Sequence, residues 1–397
     1  MIICIAGKNE IAVKGMQYIL NNIPPDTQVY GILNKNDDGV NSWQPSFKHA
    51  CIKNNVPIVS LEACYAFKDM IFLSLEFDRI IKPENFLTKS LFNIHFSLLP
   101  AYKGMYTSIL PILNGEEYTG VTLHKIDHGI DTGNIIKQQK IRIEITLNSR
   151  ELYDLYNRYA FELLIENFNA LINNNYIDIA QPSTGSSYFS KKAIDFGNVF
   201  INSNTTAWQL HNQVRAFAFR DYQLPEIFGA KIYKSEILDN KSVNKPGTII
   251  QKTDVYVQID TIDYQVRLFY DRQAELFNAA EAGDIKTISS IKDSGYDIKV
   301  KNKIGWDIFI IACYHNHEQL VNYLLDAGFD VNSTNYKGTT AFMYAQSAAS
   351  RSGNTSIMDL LINRNADLNL RDDKGLNVLD YAHQNNSTDI LAYLNQY

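Results

Sequence analysis

Phe92-Asn93-Ile94-His95-Phe96-Ser97-Leu98-Leu99-Pro100-Ala101-Tyr102-Lys103-Gly104 is an apolar run that breaks at a proline and a glycine. Side chains alternate across a strand, so Asn93 and His95 point to one face. The break marks the carboxyl end of that strand, where a parallel α/β sheet collects its ligands. A second stretch follows: Thr122-Leu123-His124-Lys125-Ile126-Asp127-His128-Gly129-Ile130-Asp131-Thr132-Gly133-Asn134-Ile135. Together the two runs offer an amide, an imidazole and a carboxylate, each beside a turn.

The residues before position 183 alternate strand and helix. Short apolar runs at 2–6, 29–33, 57–61 and 71–75 read as buried strands, and Gly7-Lys8-Asn9 opens a helical pattern through Leu20. This alternation predicts an α/β fold with a Rossmann-like, doubly wound and mostly parallel sheet. Gly7 lies in no GxGxxG pattern and reads as a plain tight turn. A long amphipathic helix is expected over 149–173, capped by Asn148 with Glu151 in the capping-box position. Residues 181–187, Gln-Pro-Ser-Thr-Gly-Ser-Ser, form a turn-rich crossing out of this first domain. A helix near 206–217 and strands near 231–237, 248–251, 255–259 and 264–270 predict a small β-rich second domain.

The remainder is a repeat. Gly305, Gly338 and Gly375 recur at spacings of 33 and 37, and Ala279, Ala312, Ala345 and Ala382 hold the same frame. A period of about 33 residues resembles the ankyrin repeat, a turn plus two helices that stack into an all-α solenoid. The four extra residues are expected in a loop at 347–353. The predicted domains are therefore 1–183, 184–270 and 271–397.

Composition narrows the function classes. With 45% apolar and 20% charged residues in 397, the chain reads as a soluble globular protein. A net charge of -6 argues against a broad nucleic-acid surface, which needs a basic stripe. Cys4, Cys51, Cys64 and Cys313 show no CxxC spacing; three of the four sit beside hydrophobic positions and read as buried thiols in a reducing cytoplasm. The first residues read as a strand and not a signal peptide. No apolar run is long enough to predict a membrane span. No metal-ligand cluster is seen, and no metal is expected.

Acyl transfer to an amine, which the amide, the imidazole and the carboxylate can serve, passes through a tetrahedral oxyanion. It needs a neutral donor for that oxygen, a base for the amine proton and a group that orients the base. Asn93 can donate to the oxyanion, His95 can take the proton, and Asp131, framed by Gly129 and Gly133, can hold His95. Tyr102, Lys103, Met105 and Tyr106, just after the His-x-Ser-Leu-Leu-Pro loop, are placed to contact the acceptor.

The pair of motifs resembles the signature of the folate-dependent formyltransferases, over residues 1–270. That resemblance implies an N-formyltransferase using N10-formyltetrahydrofolate as co-substrate, with the catalytic triad on Asn93, His95 and Asp131. It also implies a pterin pocket built largely of backbone, on Glu76, Phe77, Asp78, Arg79 and Ile80 and on the loop through Asp127 and Gly129. Lys103 departs from the arginine many relatives carry, which loses bidentate recognition but not charge. The segment 214–222 resembles a module of the sugar N-formyltransferases, which implies diphosphate binding by Arg215 and aromatic contact by Tyr222. An acidic chain without a basic tail does not favour methionyl-tRNA as acceptor, and the extra domains do not favour glycinamide ribonucleotide. The expected acceptor is a dTDP-linked 3-amino-3,6-dideoxyhexose of the gluco or galacto series, for O-antigen lipopolysaccharide. The alternatives are the 4-amino-4,6-dideoxyglucose acceptor and a non-catalytic ankyrin interaction protein. A homodimer is expected on family grounds. The repeats are expected to bind a protein or a second nucleotide sugar, with Trp306 as the leading auxiliary-site residue.

Overall fold

Ile3, Cys4, Ile5 and Ala6 are all fully buried, so β1 (Ile2–Gly7) is apolar on both faces, as a central parallel strand must be. The computed structural model describes residues 1–385 and 387–397. After β1 come α1 (Asn9–Asn22), β2 (Gln28–Leu33), α2 (Phe47–Lys53), β3 (Met70–Leu75) and β4 (Leu91–His95). Then follow β5 (Lys103–Gly104), α3 (Leu110–Leu113), β6 (Tyr118–Lys125), β7 (Ile135–Arg142) and α4 (Ser149–Ile172). The six-stranded sheet runs β2-β1-β3-β4-β6-β7. Its first four strands are parallel, and β6 and β7 join antiparallel. The connections from β1 and β2 reverse direction between β1 and β3, which opens a crevice at the strands' carboxyl ends.

The strand expected at 57–61 does not form; Ile58 makes only an isolated bridge to Gly31. Pro57 has no N–H to give a ladder, and Ile58 is itself exposed. The long helix is α4, and its capping box is present: Asn148 Oδ1 accepts from the Arg150 and Glu151 amides, and Glu151 Oε2 from the Asn148 amide at 2.9 Å. Leu152, Tyr156, Leu163, Leu164 and Phe168 form its buried face. Gly15 on α1 permits that packing, because a Cβ there would stand 3.0 Å from Leu75 and 3.1 Å from Leu164.

Beyond β8 (Tyr188–Phe189) lie α5 (Ala207–Phe217), β9 (Glu226–Ile227), β10 (Ala230–Lys241), β11 (Ile249–Lys252), β12 (Tyr256–Asp260) and β13 (Tyr264–Tyr270). The last five strands form a sheet ordered β11-β12-β13-β10-β9. Leu210 and Val214 of α5 close its core with Ile232, Val257, Ile259, Val266 and Leu268. Residues 1–40 and 44–270 form one compact unit.

The second unit comprises 41–43 and 271–397. It stacks four helix pairs: α6 (Gln273–Ala282) with α7 (Ile285–Asp293), α8 (Ile308–Tyr314) with α9 (Glu318–Asp326), α10 (Ala341–Ser352) with α11 (Ser356–Asn363), and α12 (Val378–Gln384) with α13 (Thr388–Leu394). The repeat frame has a local cause. Gly305, Gly338 and Gly375 all take positive φ, and two residues later Asp307, Thr340 and Asn377 cap α8, α10 and α12. The extra residues at 347–353 are not a loop. They lengthen α10 to 12 residues against 7 in α8, ending at Gly353. Ala348 and Ala349, strong helix formers, continue the helix.

Candidate active site

β4 and β6 pair antiparallel with Asn93 opposite His124 and His95 opposite Thr122. Asn93 and His124 therefore share one face, and Asn93 Nδ2 donates to His124 Nε2 at 3.0 Å. The Lys125 carbonyl accepts from His124 Nδ1 at 2.8 Å, which sets that tautomer. Asp131 reaches the same spot from the β6–β7 loop with φ +55°. Gly133 lets the loop come close, since a Cβ there would lie 1.8 Å from the Lys125 carbonyl oxygen.

The triad is assembled around the Asp131 carboxylate. Its Oδ2 stands 3.5 Å from His95 Nδ1 and accepts the Gly104 amide at 2.9 Å. Its Oδ1 lies 3.4 Å from Asn93 Nδ2 and 3.7 Å from His124 Nε2. Burial works against ionisation here, but the positive charge of the neighbouring imidazoles in their protonated form and the Gly104 amide outweigh it and hold Asp131 well below the usual carboxylate range. His95 is lowered instead: burial dominates and the Asp131 charge opposes it. His95 Nε2 donates to the Tyr102 carbonyl at 2.8 Å. A carbonyl only accepts, so in neutral His95 the hydrogen sits on Nε2 and the lone pair on Nδ1 faces Asp131.

The following turn is held from several sides. Thr122 Oγ1 donates to the Ser97 carbonyl at 2.6 Å and accepts the Leu99 amide at 3.2 Å. Gln138 bonds both the Leu99 carbonyl and Thr122. Leu99–Pro100 is cis.

Of the residues expected at the acceptor, Tyr102 lies in the left-handed region, its hydroxyl donating to Glu116 at 2.7 Å and its ring stacked on Phe189. Lys103 Nζ bonds Ser186 Oγ at 3.2 Å, and Tyr106 donates to the Lys191 carbonyl. Met105 and Tyr222 are exposed. Arg215 is a correction. It is 5% exposed, its guanidinium is taken by the Glu144 and Leu147 carbonyls and by Asn212 Oδ1, and burial pushes it down to about 10. It braces the 144–147 loop and is not presented to a diphosphate.

The segment expected to meet the pterin follows β3, the third strand and not the fourth, because 57–61 forms none. Its backbone is open: among the described residues, the amides of Phe77, Asp78, Arg79 and Ile80 donate to no protein acceptor. Their side chains are otherwise engaged or exposed. Asp78 accepts from the Lys35 amide, Arg79 pairs with Glu62, and Ile80 is exposed. Asp127 Oδ1 accepts from Gly129 N at 3.1 Å and Thr132 Oγ1 at 2.6 Å, which shapes the other loop.

Two residues escaped the sequence reading. His124 stood in the quoted motif without a role. Gln181, taken for part of a linker, donates to the Asp131 and Gly133 carbonyls, both at 2.8 Å, and clamps the Asp131 loop. In the repeat unit Phe309 and Phe342 fill the core, whereas Trp306, Tyr314 and Tyr344 are half-buried and cluster. Trp306 Nε1 donates to the Tyr344 hydroxyl at 3.0 Å. Tyr314 and Arg351 also border a cavity of about 360 Å³.

The formyl transferase family pattern matches residues 67–167, and ankyrin-repeat patterns match 276–348 and 324–382. The chain is 46% identical to WlaRD, a sugar 3N-formyl transferase solved in the presence of dTDP and 5-N-formyl-THF, with a TM-score of 0.64 over 68% of this chain and 97% of that one. It is also 46% identical to an N-formyltransferase from Helicobacter canadensis, solved with folinic acid and dTDP-3-aminofucose, at a TM-score of 0.64 over 68% of this chain and 100% of that one. Identity to the methionyl-tRNA formyltransferase of Clostridioides difficile is 26% over 292 residues, 66% of this chain and 89% of that protein. Two N-formyltransferases, one of them a sugar 3N-formyl transferase, are thus matched over nearly their whole length, and the chain belongs to that N-formyltransferase family, with ankyrin repeats following the shared region.

Proposed function

We propose that this enzyme formylates the amine of a dTDP-linked 3-amino-3,6-dideoxyhexose, with N10-formyltetrahydrofolate supplying the formyl carbon. The observation that carries the reading is the His95 ring. It is fixed through Nε2 on the Tyr102 carbonyl, with an unprotonated Nδ1 3.5 Å from the Asp131 carboxylate. Nδ1 takes the proton of the attacking amine, and the imidazolium that results pairs with Asp131. Asn93 spends its two amide hydrogens on His124 and Asp131, and the 3.4 Å contact to Asp131 lies beyond ordinary hydrogen-bond lengths. That N–H is the one a developing oxyanion takes over. The open amides of 77–80 fit a pterin edge, which offers both donors and acceptors to backbone. The 3-amino preference rests on the two relatives described above, one a 3N-formyl transferase and one solved with a 3-amino sugar.

The product of such a reaction suits a cell-surface polysaccharide such as O-antigen, and the enzyme works as a cytoplasmic homodimer in this reading. On the repeat unit, the ring cluster of Trp306, Tyr314 and Tyr344 offers a stacking surface for a second nucleotide sugar.

A formylation assay tests the acceptor. The panel is dTDP-3-amino- and dTDP-4-amino-dideoxyglucose, their galactose epimers, glycinamide ribonucleotide and methionyl-tRNA. Turnover of a 3-amino sugar nucleotide is expected. Preference for a 4-amino sugar would move the regiochemistry. Inactivity on all, with folate still bound, would favour the interaction-protein reading.

A further inference from the structure

Glu76 is the first residue past β3, where Ser74 lies beside Asn93 and Leu75 beside Ile94 of the neighbouring strand. Adjacent strands stand about 4.8 Å apart, so Glu76 occupies the rim of the same crevice as His95. Its backbone is left-handed, φ +59°, and so is that of Asn9, φ +61°. Neither is a glycine, and non-glycine residues hold such conformations where their surroundings over-determine them. The two are joined. Asn9 Nδ2 donates to Glu76 Oε2 at 3.3 Å, and the Tyr153 hydroxyl donates to the same oxygen at 2.8 Å. Asn34 Nδ2 holds the Glu76 carbonyl at 3.0 Å.

The carboxylate is therefore tethered by one oxygen only. Among the described residues Oε1 accepts no hydrogen bond, and the Lys8 ammonium acts on the group through its charge without a direct ion pair. Burial raises the Glu76 pKa despite help from Tyr153. A half-buried carboxylate with one oxygen free of protein donors can accept a further hydrogen bond from a ligand. Through Asn9 and Tyr153 the side chain turns towards α1 and α4. The mechanism above gives it no task.

We propose that Glu76 is a specificity residue, whose Oε1 accepts a hydrogen bond from the sugar hydroxyl next to the amine that meets His95. The assignment rests on the amino-sugar reading above. One strand spacing separates Glu76 from the residues that receive the amine, which leaves a hydroxyl on the carbon next to the amine within hydrogen-bond reach of Oε1. Tyr153 and Asn9 fix the carboxylate in advance, so little ordering is left for binding.

The test pairs variants with acceptors: the full dTDP-3-amino sugar and its two deoxy analogues, each lacking one hydroxyl beside the amine. The wild type is expected to lose about 10- to 100-fold in kcat/KM on one analogue, the span of a hydrogen bond to a charged group. E76A should lose about as much on the full acceptor and nothing further on that analogue, with KM for N10-formyltetrahydrofolate unchanged. E76Q retains shape and the Tyr153 bond, guards against a folding artefact, and should lose about tenfold. Losses that multiply, or variants that match the wild type, would overturn the assignment while leaving the acceptor reading intact. A wild type inactive on every amino sugar would bring down the reading and this assignment together.

Discussion

Two buried histidines of one unit, His95 and His211, are alike in burial and opposite in wiring. They are 9% and 7% exposed, and burial lowers the pKa of both. His211 uses both ring nitrogens on neutral partners, Ser235 Oγ and the Ile145 carbonyl, each at 2.9 Å. His95 uses only Nε2 that way, and its Nδ1 stands beside the Asp131 carboxylate. One ring is saturated; the other has a lone pair next to a charge that stabilises its protonated form. Burial by itself does not single out a base. In the proposed reading, a lone pair left beside a charge does.

The largest effect that separates the two is on turnover. H95Q is expected to lower kcat by about 10²- to 10⁴-fold, the range for removing a general base, with thermal unfolding close to wild type. A variant retaining more than a tenth of the activity would break the comparison. D131N should cost about 10²-fold, because the imidazolium loses its counter-charge. Asp131 raises the His95 pKa against burial, so its neutralisation should also carry the acid limb of kcat/KM to lower pH. In the wild type that limb should already lie below about 6.5, the ordinary histidine value. A limb above it would show that Asp131, not burial, dominates.

Smaller effects sharpen the contrast. Q181A should lower kcat about tenfold by loosening the Asp131 loop while leaving its charge in place, a loss of alignment alone. H211F should leave kcat within about twofold but destabilise by about 1–3 kcal/mol, since Ser235 and the Ile145 carbonyl lose their partner. Its pH signature has a definite sign. A histidine with a depressed folded pKa costs nothing above the unfolded value of about 6.5; as pH falls below that, the unfolded chain takes a proton the fold refuses, and stability drops. H211F should therefore flatten the loss of stability below that pH in calorimetry, and leave the acid limb of activity unmoved.

Much of this was legible locally. The alternation in 92–96 put Asn93 and His95 on one face, the glycines placed Asp131 in a tight turn, and the cap of α4 was readable as Asn148 with Glu151 three residues on. The repeat frame was readable because glycine and its capping residue recur as one short unit. What escaped were long-range pairings. His124 gains its meaning from the β4–β6 register and Gln181 from a clamp 50 residues away in sequence. Arg215 resembled a diphosphate ligand until three carbonyl groups closed over it. The run at 57–61 had strand composition, but its proline and exposure left it a single bridge.

The sequence alone determined which groups share a face and where the chain turns, because covalent geometry sets the period of two and the left-handed turns. The tertiary structure decided which of those groups remain available for chemistry. Register and packing choose the partners of each buried donor and acceptor. His95, Asp131 and Glu76 were left with capacity to spare, whereas His211 and Arg215 were committed to the fold.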